Sequence, residues 1–242
     1  MLSDLEINLI ILFLITIQSI IGVGILVIGT PTLLILNYDI LDIYLILLPI
    51  SILTSVLNLM LIRFYKYDFK VTIDKNILKK FFIICLPSVF IGLVLLQKYH
   101  SALNFKFMVS FIIIFSIILV NFNKSKKVRL KNIYLILTGI THGLTNSGGT
   151  LLSLFFSTKS EKNNSRYNIT FFYFFLALSQ YFMTIYIFEI ENFFLFSQKM
   201  LFLFLVIGVF LGNYFAKFLD LQKFKMAING VAIITCCFLI LS

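Results

Sequence analysis

Two glycine- and hydroxyl-rich stretches, one in each half of the chain, carry the residues best suited to hold a small anion. The first lies between residues 22 and 30, and the second runs Thr145-Asn-Ser-Gly-Gly-Thr150. Glycines let the backbone approach a ligand closely, and hydroxyl and amide groups complete its hydrogen bonding. Where a helix restarts after a break, its free N–H groups carry about half a positive charge toward a bound anion. The predicted binding residues are therefore Gly22, Gly24, Gly29, Thr30, Thr145, Asn146, Ser147, Gly148, Gly149 and Thr150.

Three polar residues inside apolar runs, Thr54, Ser55 and Gln180, are expected to complete this site. Hydrogen bonds between helices explain them equally well, because polar groups in membrane helices face protein or a cavity. His142 is the one histidine inside a predicted span. Since imidazole titrates near neutral pH, His142 is a candidate to accept a transported proton, and a structural hydrogen bond is the alternative. The alternative for the glycine-rich stretches is that they only kink and pack helices.

The composition places these residues in a membrane protein. Apolar residues make up 60% of the 242-residue chain, charged residues make up 12%, and the mean hydropathy is +1.04. Soluble domains are nearer half apolar and a quarter charged. The net charge of +10 lies mainly between apolar runs, where it indicates orientation in the bilayer rather than a nucleic-acid partner. Cys85, Cys236 and Cys237 lack metal-ligand spacing, so no metal or cofactor is expected.

Eight apolar segments follow one another along the chain. About twenty helical residues cross the roughly 30 Å hydrocarbon layer of a bilayer, so the sequence predicts an all-α membrane protein. The segments are Ile7 to Leu36, Leu41 to Ile62, Ile77 to Gln97, Phe105 to Phe122, Ile133 to Ser157, Ile169 to Phe188, Met200 to Leu219, and Met226 to Leu241.

The chain also repeats itself. Pro87-Ser-Val-Phe-Ile-Gly92 matches Ile207-Gly-Val-Phe-Leu-Gly212 at an offset of about 120 residues, and such internal similarity indicates duplicated units. The small-xxx-small spacing in both copies lets helix backbones approach closely in lipid. We therefore predict an N-terminal membrane repeat over residues 1–122, a basic cytoplasmic linker over 123–132, and a C-terminal membrane repeat over 133–242.

The distribution of basic residues favours inverted repeats. If all eight segments span fully, 12 of the 20 Lys and Arg residues lie inside and 8 lie outside. If the first and fifth segments enter and leave on one side, each half has three spans and the second half is inverted. The cytoplasmic side then holds 17 of the 20, and only Lys98, Lys106 and Lys199 lie outside. The positive-inside rule selects the second arrangement.

The first and fifth segments also have the composition of broken helices. Ile7 to Leu36 is too long for one ordinary span, and it contains Gly22-Val-Gly24 and Gly29-Thr-Pro31. The fifth segment contains the polar stretch from Thr141 to Thr150. Non-helical backbone survives at membrane depth only where it is buried in protein or lines a cavity. We therefore expect interruptions at all three places.

The same stretches carry a family resemblance. Gly22-Val-Gly-Ile-Leu-Val-Ile-Gly-Thr-Pro31 resembles the GxGxGxxxxP-type signature that opens the TauE/SafE-type sulfite exporter family, and Gly143-Leu-Thr-Asn-Ser-Gly-Gly-Thr150 resembles its second copy. The chain departs from the pattern at Ile25 and Leu26, where further glycines are usual, and at Leu151, where the second copy lacks the proline. The resemblance implies a duplicated permease for sulfite, sulfonates or related organosulfur anions.

A secondary transporter with a midplane site between the two repeats is the predicted function. The predicted partners are a small anionic solute and the lipid bilayer, in a bacterial cytoplasmic membrane, and the oligomeric state is left open. No enzyme motif is present, so no catalytic residue is predicted. The alternatives are a membrane scaffold or assembly factor, which would show no flux of small anions, and a passive channel, which would show unsaturable flux.

Overall fold

The computed structural model describes residues 4–64, 73–99, 130–157, 162–190 and 199–220, together with isolated positions between 102 and 115 and between 222 and 233. Every element within these residues is helical. Most of the fourth and eighth predicted segments and most of the predicted linker lie outside the described residues. The expectation of an all-α chain is therefore confirmed for the described residues.

Eight helices are described, and three of them are long and apolar enough to cross a membrane. The three are α3, α4 and α7, which coincide with the second, third and sixth predicted segments. Helix α4 includes one π-helical turn at Phe81–Cys85. The bounds are α1 Asp4–Ile21, α2 Ile25–Ile35, α3 Ile40–Phe64, α4 Lys75–Tyr99, α5 Leu130–Thr145, α6 Gly148–Ser157, α7 Lys162–Ile187 and α8 Lys199–Ala216.

The first predicted segment is a helical hairpin made of α1 and α2. The chain leaves α1 through Gly22, whose φ is 96°, a value that glycine adopts without strain. A Cβ at Gly24 would lie 2.9 Å from the Gln18 nitrogen, and one at Gly29 would lie 3.0 Å from Leu14. Residues later in α2 contact residues earlier in α1. The two helices therefore run antiparallel, and the segment folds back on itself.

The fifth predicted segment is a second hairpin, made of α5 and α6. The turn is at Asn146, which has φ 60°, and its amide donates to the His142 carbonyl at 2.9 Å. Asparagine is among the few non-glycine residues that tolerate this left-handed conformation. Beyond the turn, Gly148 packs against His142, and the rings of Phe155 and Tyr134 lie 5.6 Å apart. Helix α6 therefore runs back along α5.

The expected interruption at Gly29-Thr-Pro31 is wrong, because α2 continues through Pro31 to Ile35. A proline inside a helix removes one backbone hydrogen bond. In α2 the surrounding packing holds the helix regardless, since Gly29 and Pro31 are buried and Gly29 lies against Leu14 and Leu47. The fifth segment is also broken over a shorter stretch than expected, because the residues from Thr141 to Thr145 remain helical.

Each hairpin packs in parallel with a helix from the other half of the chain. A Cβ at Gly208 of α8 would lie 2.7 Å from Ile15 of α1, and one at Gly212 would contact Ser19. Both helices therefore advance in the same direction along their contact. Small residues on α8 allow this close approach, as they do in other membrane helix pairs.

Helices α5 and α4 make the corresponding parallel pair. A Cβ at Gly139 would lie 2.6 Å from Ser88, and one at Gly143 would lie 2.9 Å from the Leu93 nitrogen. Gly92 faces the same contact from α4, against the Ile140 carbonyl. The backbones of the two helices touch directly because both sides contribute small residues.

The long helices α3 and α7 form the centre of the bundle and run antiparallel. The Tyr44 hydroxyl near the start of α3 lies beside Gln180 near the end of α7, whereas Ser51 lies beside Tyr173. Tyr44 and Tyr173 are the largest fully buried side chains. Around this core many large apolar side chains face outward, such as Phe13 at 62% exposure, as expected for a surface in contact with lipid.

Candidate functional site

The two helix breaks lie against each other inside the bundle. A Cβ at Gly149, in the first turn of α6, would lie 2.7 Å from Val23 and 3.1 Å from Val27. The Asn146 side-chain amide donates to the Thr30 hydroxyl at 3.1 Å. Since residues later in α2 contact residues earlier in the second hairpin, the first turns of α2 and α6 cross in opposite directions. The two predicted stretches therefore lie next to each other in the structure.

Asn146 makes the direct polar connection between the two hairpins and α7. Besides donating to Thr30, its side-chain oxygen accepts a hydrogen bond from the Gln180 side-chain amide at 2.8 Å. All three side chains are fully buried. A buried polar group without a partner costs about 1–3 kcal/mol, so this chain of amides and hydroxyls fixes the second break to both α2 and α7.

The first break is closed by Gln18 and Tyr173. The Ile25 amide donates to the Gln18 side-chain oxygen at 3.2 Å, and the Leu26 amide donates to the Tyr173 hydroxyl at 3.2 Å. The Gln18 amide in turn donates to Ser55 at 3.1 Å. The expectation of free N–H groups is therefore wrong for Ile25 and Leu26 in this conformation. The physical reason is that an unpaired amide away from water is costly, so nearby side chains cap it.

The hydroxyl groups of the second break bond within their own segment. Thr145 donates to the Thr141 carbonyl at 2.9 Å, and Ser147 donates to the Thr145 carbonyl at 3.2 Å. Thr150 donates to the Ser147 carbonyl at 2.6 Å. These bonds stabilise the end of α5 and the start of α6. The hydroxyl oxygens keep lone pairs, but their protons are used locally.

The glycines of the two breaks serve close packing as well as chain reversal. Gly22 lies against α7, where a Cβ would meet Thr170 at 2.8 Å and the Arg166 carbonyl at 3.0 Å. Gly148 is wedged against the Thr138 carbonyl of α5. Gly29 lies in the interior of α2 rather than at the break. A side chain at Gly22 or Gly148 would force the hairpins away from their neighbours.

Two of the predicted polar residues are buried without a hydrogen-bond partner among the described residues. They are Thr54 and His142, and both ring nitrogens of His142 are unpaired in this way. The His142 ring lies 6.0 Å from the ring of Tyr173 in an edge-on arrangement. The Asn146 backbone lies beside the His142 ring as a hydrogen-bonding group, but the two do not reach the distance and angle of a full hydrogen bond.

A cationic network lies next to the first break. Arg166 of α7 donates to the Ser19 carbonyl in the last turn of α1 and to the Asn213 side-chain oxygen at 2.7 Å. Asn213 donates to Asn58 at 2.7 Å, and Asn58 donates to the Ser19 hydroxyl at 3.0 Å. The network joins α1, α3, α7 and α8.

Together these groups form a file of buried polar side chains through the bundle. It begins at the Arg166 network, passes the two breaks, and ends where Tyr44 donates to the Gly143 carbonyl at 3.1 Å. Helices that only contact lipid do not need a row of buried polar side chains. A path for a polar solute does need one. Its members are Arg166, Asn213, Asn58, Ser19, Gln18, Ser51, Ser55, Tyr173, Thr30, Asn146, Gln180 and Tyr44.

The family model described as sulfite exporter TauE/SafE matches residues 7–239. The chain belongs to the sulfite exporter TauE/SafE family. Comparisons with curated proteins and with solved structures found no match. Family membership and the apolar helices identify the chain as a membrane transporter of the exporter type for sulfite or a related sulfur compound, rather than an enzyme. The two stretches that resemble the family signature are the ones that form the helix breaks.

This TauE/SafE chain holds three site residues that sequence reasoning missed. Tyr44 and Tyr173 lie in apolar runs, and nothing in their spacing distinguishes them from other core aromatics. Arg166 precedes the predicted start of the sixth segment at Ile169, so it was expected in a loop, but α7 begins at Lys162 and the residue is buried. The sequence does carry a signal for the close pair of helices α4 and α5. The Gly139-xxx-Gly143 spacing matches Ser88-xxx-Gly92, and such spacing predicts a close helix pair.

Proposed function

We propose that this transporter is a secondary carrier that moves a sulfur oxyanion such as sulfite, or an organic sulfonate, across a bacterial cytoplasmic membrane. The observation that carries the proposal is the meeting of two buried helix breaks on a file of polar side chains. In secondary transporters, discontinuous helices of two repeats bind the substrate near the middle of the membrane. Movement of one repeat against the other then exposes the site to each side in turn.

The directions of the packed helices support inverted repeats. If all eight apolar segments crossed the membrane in turn, α3 and α7 would be the second and sixth spans and would run parallel. If the first and fifth segments fold back, each half has three spans and the two helices run antiparallel. The contacts of Tyr44 with Gln180 and of Ser51 with Tyr173 agree with the second arrangement, as do the basic residues.

The exchange of packing partners supports the same arrangement. The first hairpin packs on α8, which belongs to the second half, and the second hairpin packs on α4, which belongs to the first half. A two-fold axis in the membrane plane relates such a pair of contacts. Inverted repeats in known transporter architectures have this relation, and it allows two equivalent states that open to opposite sides.

Substrate binding in this proposal replaces hydrogen bonds that the protein now makes to itself. The Ile25 and Leu26 amides lie at the first break and are held by the neutral side chains of Gln18 and Tyr173. An oxyanion is a better acceptor for an N–H group than a neutral side chain, because charge-assisted hydrogen bonds are about twice as strong. Asn146 and Gln180 supply further N–H donors without adding a fixed charge.

His142 remains the proposed site of proton coupling. Its two ring nitrogens have no described partner although the side chain is fully buried, and it lies beside the Gly148 turn. A histidine that must gain and lose a proton during a transport cycle cannot be held permanently in one hydrogen bond. Its position next to the second break would let a proton and an oxyanion share one site.

Counterflow in proteoliposomes tests the proposed function. Vesicles loaded with unlabelled sulfite are diluted into labelled sulfite, and thiosulfate, taurine, sulfate and acetate are then tested as competitors. Gly149→Val should abolish exchange, since a Cβ at this position already lies 2.5 Å from Tyr173. Gly230→Val is the matched control, because no atom of the described residues lies within 4 Å of a Cβ there. Saturable exchange lost only in Gly149→Val supports transport.

The other outcomes of this experiment contradict the proposal. An absence of flux across the whole panel with a folded protein favours a scaffold or assembly factor. Flux that does not saturate and needs no exchanging anion favours a channel. Thermal unfolding of both variants in parallel ensures that a loss of exchange is assigned to the site only where the protein remains folded.

Labelling of single cysteines tests the inverted orientation. Lys98 and Asp220 are both exposed near helix ends, and Cys85, Cys236 and Cys237 are first replaced by alanine. A membrane-impermeant maleimide should label Lys98→Cys in intact cells and Asp220→Cys only after the membrane is permeabilised. Labelling of both positions from outside would agree with eight full spans and contradict inversion.

A further inference from the structure

A cavity of about 500 Å³ opens beside the first helix break. It lies between the end of α3, the start of α7 and the end of α8, and its walls include Leu211 and Tyr214. Three basic residues, Lys162, Arg166 and Lys217, line it. In the proposed orientation this end of the bundle faces the cytoplasm. The cavity lies at the Arg166 end of the file of polar side chains.

Arg166 is the one of these three basic residues that is buried, with 8% of its surface exposed. Both of its hydrogen-bond acceptors, the Ser19 carbonyl and the Asn213 amide oxygen, are neutral. Its Nε has no partner among the described residues. A buried guanidinium is normally paired with an acid, and the described hydrogen bonds of Arg166 include no carboxylate.

Among the described residues, the acidic Asp220 near this end of α8 is paired with another group. Asp220, in the turn after α8, accepts from the Lys223 amide at 2.7 Å and lies 3.7 Å from the Lys223 ammonium. The Lys223 amide holds the pKa of the Asp220 carboxyl below its usual value. Lys162 donates to the Ala216 carbonyl at 2.9 Å and also to the Leu219 carbonyl. The described contacts of Asp220 are therefore with Lys223 and not with Arg166.

A purely structural role explains only part of this arrangement. Arg166 caps the carbonyl end of α1 through Ser19, and a cation is favourable at a helix C-terminus. That contact uses one terminal nitrogen of the fork, and the same nitrogen also reaches Asn213. The Nε–H is left without a described partner, and such a group can donate a charge-assisted hydrogen bond to one oxygen of an oxyanion.

We propose that this cavity is a binding site for a small oxyanion, with the Arg166 guanidinium as its main recognition group and the lysines at its rim as an electrostatic attractant. The inference rests on the proposed function, in which the site is the cytoplasmic entry subsite for the sulfur oxyanion. Gly22 lies 3.0 Å from the Arg166 carbonyl, measured from the position of an added Cβ, so the subsite adjoins the first break.

The same chemistry admits a second source of oxyanion. Phe210, Leu211 and Tyr214 line the cavity and are exposed on the outside of the bundle, where a phospholipid could place its phosphate over Arg166. The recognition group and the geometry are identical in the two cases. The experiment must therefore distinguish a soluble anion from a lipid headgroup.

The absence of tryptophan from the chain allows a single fluorescent reporter in the cavity wall. Leu211→Trp is prepared in nanodiscs of phosphatidylcholine and titrated with sodium sulfite at constant ionic strength. The titration is repeated in Leu211→Trp combined with Arg166→Gln, and with Lys98→Gln as the control that removes a charge outside the cavity. In a parallel set of nanodiscs, a quarter of the lipid is phosphatidylglycerol and no sulfite is added.

We expect a saturable emission change with sulfite, weakened at least about tenfold by Arg166→Gln and unchanged by Lys98→Gln, since a hydrogen bond to a charged group contributes a factor of ten or more. A response to phosphatidylglycerol alone, also dependent on Arg166, supports the site with lipid as its occupant and overturns the entry role. A response to neither anion overturns the proposal.

Two further measurements keep the outcomes distinct. Because Arg166→Gln removes the cap on α1, Lys217→Gln is measured as a second variant that leaves this cap in place, and a weakening of about threefold is expected from the lost rim charge. Sulfite binding that persists in a protein without counterflow would overturn the proposed transport and leave this site standing. Normal counterflow in Arg166→Gln would overturn the site and leave transport standing.

Discussion

The two hairpins have the same shape but are closed by different chemistry. In each, a helix turns at a break, folds back, and packs in parallel with a helix of the other half. In the first hairpin Gln18 lies against the Gly24 turn and caps an amide. In the second, His142 occupies the equivalent place against Gly148 and makes no described hydrogen bond. In the proposed repeats, equivalent positions therefore hold a neutral cap in one and a titratable group in the other.

The helix contacts behind the hairpins differ in a related way. Helices α4 and α5 touch backbone to backbone, because Gly92, Gly139 and Gly143 all lie in their contact. In the contact of α1 with α8 the glycines are on α8 only; Gly208 faces mainly the Ile15 side chain, whereas Gly212 faces Ser19 and the Thr16 carbonyl. Side chains can shift where backbones cannot. The second hairpin is consequently the more rigidly attached of the two.

The largest expected effect comes from filling the backbone contact. Gly143→Ala places a methyl group against the Val89 carbonyl, which cannot move without separating α4 from α5. We expect a loss of stability above about 3 kcal/mol, the upper end for overpacking, measured by thermal unfolding of the detergent-solubilised protein. Gly208→Ala meets the Ile15 side chain instead and should cost about 1 kcal/mol. Equal losses would contradict the proposed difference in rigidity.

Removing the amide that joins the hairpins is expected to act mainly on transport. Asn146→Gly keeps a residue suited to the left-handed turn but leaves Thr30 and Gln180 without their partner. Sulfite counterflow should fall on the order of tenfold to a hundredfold, since each buried polar group left unpaired costs about 1–3 kcal/mol. Asn146→Ala adds backbone strain and should also lower the melting temperature. Unchanged counterflow in the glycine variant would remove Asn146 from the site.

The cap of the first hairpin should contribute mainly to stability. Gln18→Met retains the size of the side chain but removes the partner of the Ile25 amide and of the Ser51 and Ser55 hydroxyls. We expect a loss of about 2 kcal/mol, again by thermal unfolding. Gln97→Met is the matched control, because Gln97 makes one exposed hydrogen bond to the Ile187 carbonyl. If the two variants unfold together, Gln18 is not a structural cap.

The smallest effect on the fold, and the most selective effect on function, is expected from His142→Gln. This change gives the second hairpin the side chain that the first hairpin has at the equivalent place. Stability should change by less than about 1 kcal/mol, because no described hydrogen bond is lost. Sulfite counterflow should persist, while uptake driven by a pH gradient should disappear. Gradient-driven uptake that survives would remove His142 from proton coupling.

The sequence predicted the positions of both breaks because their residues differ sharply from their surroundings. Gly22-Val-Gly24 and Asn146-Ser-Gly148 interrupt long apolar runs, and the chain does turn there. Pro31 has an equally strong local signal but sits within a packed helix, and no sequence pattern indicates that packing. The break at Gly22 to Gly24 was located, but the partners of the amides that follow it, Gln18 and Tyr173, come from the tertiary arrangement.

Arg166 illustrates the limit of reasoning from hydropathy. The polar stretch from Lys162 to Tyr167 is typical of a loop between spans, and its helical turn is stabilised by contacts from α1 and α8 that lie far away in the chain. Burial of Arg166 depends on Ser19 and Asn213, and no sequence pattern identifies either residue as its partner. The charge could be predicted to lie inside the cell, but its place in a cavity could not.

The parallel contact of α1 with α8 has a consequence for how the protein is made. Most of the length of the chain separates α1 from Gly208. At about 5–20 residues per second, Gly208 is therefore synthesised on the order of ten seconds after α1. During that time the first hairpin lacks the surface that covers Ile15 and Ser19. Biogenesis therefore needs either the insertion machinery or an early contact with α3 to hold the first hairpin in place until α8 has been synthesised.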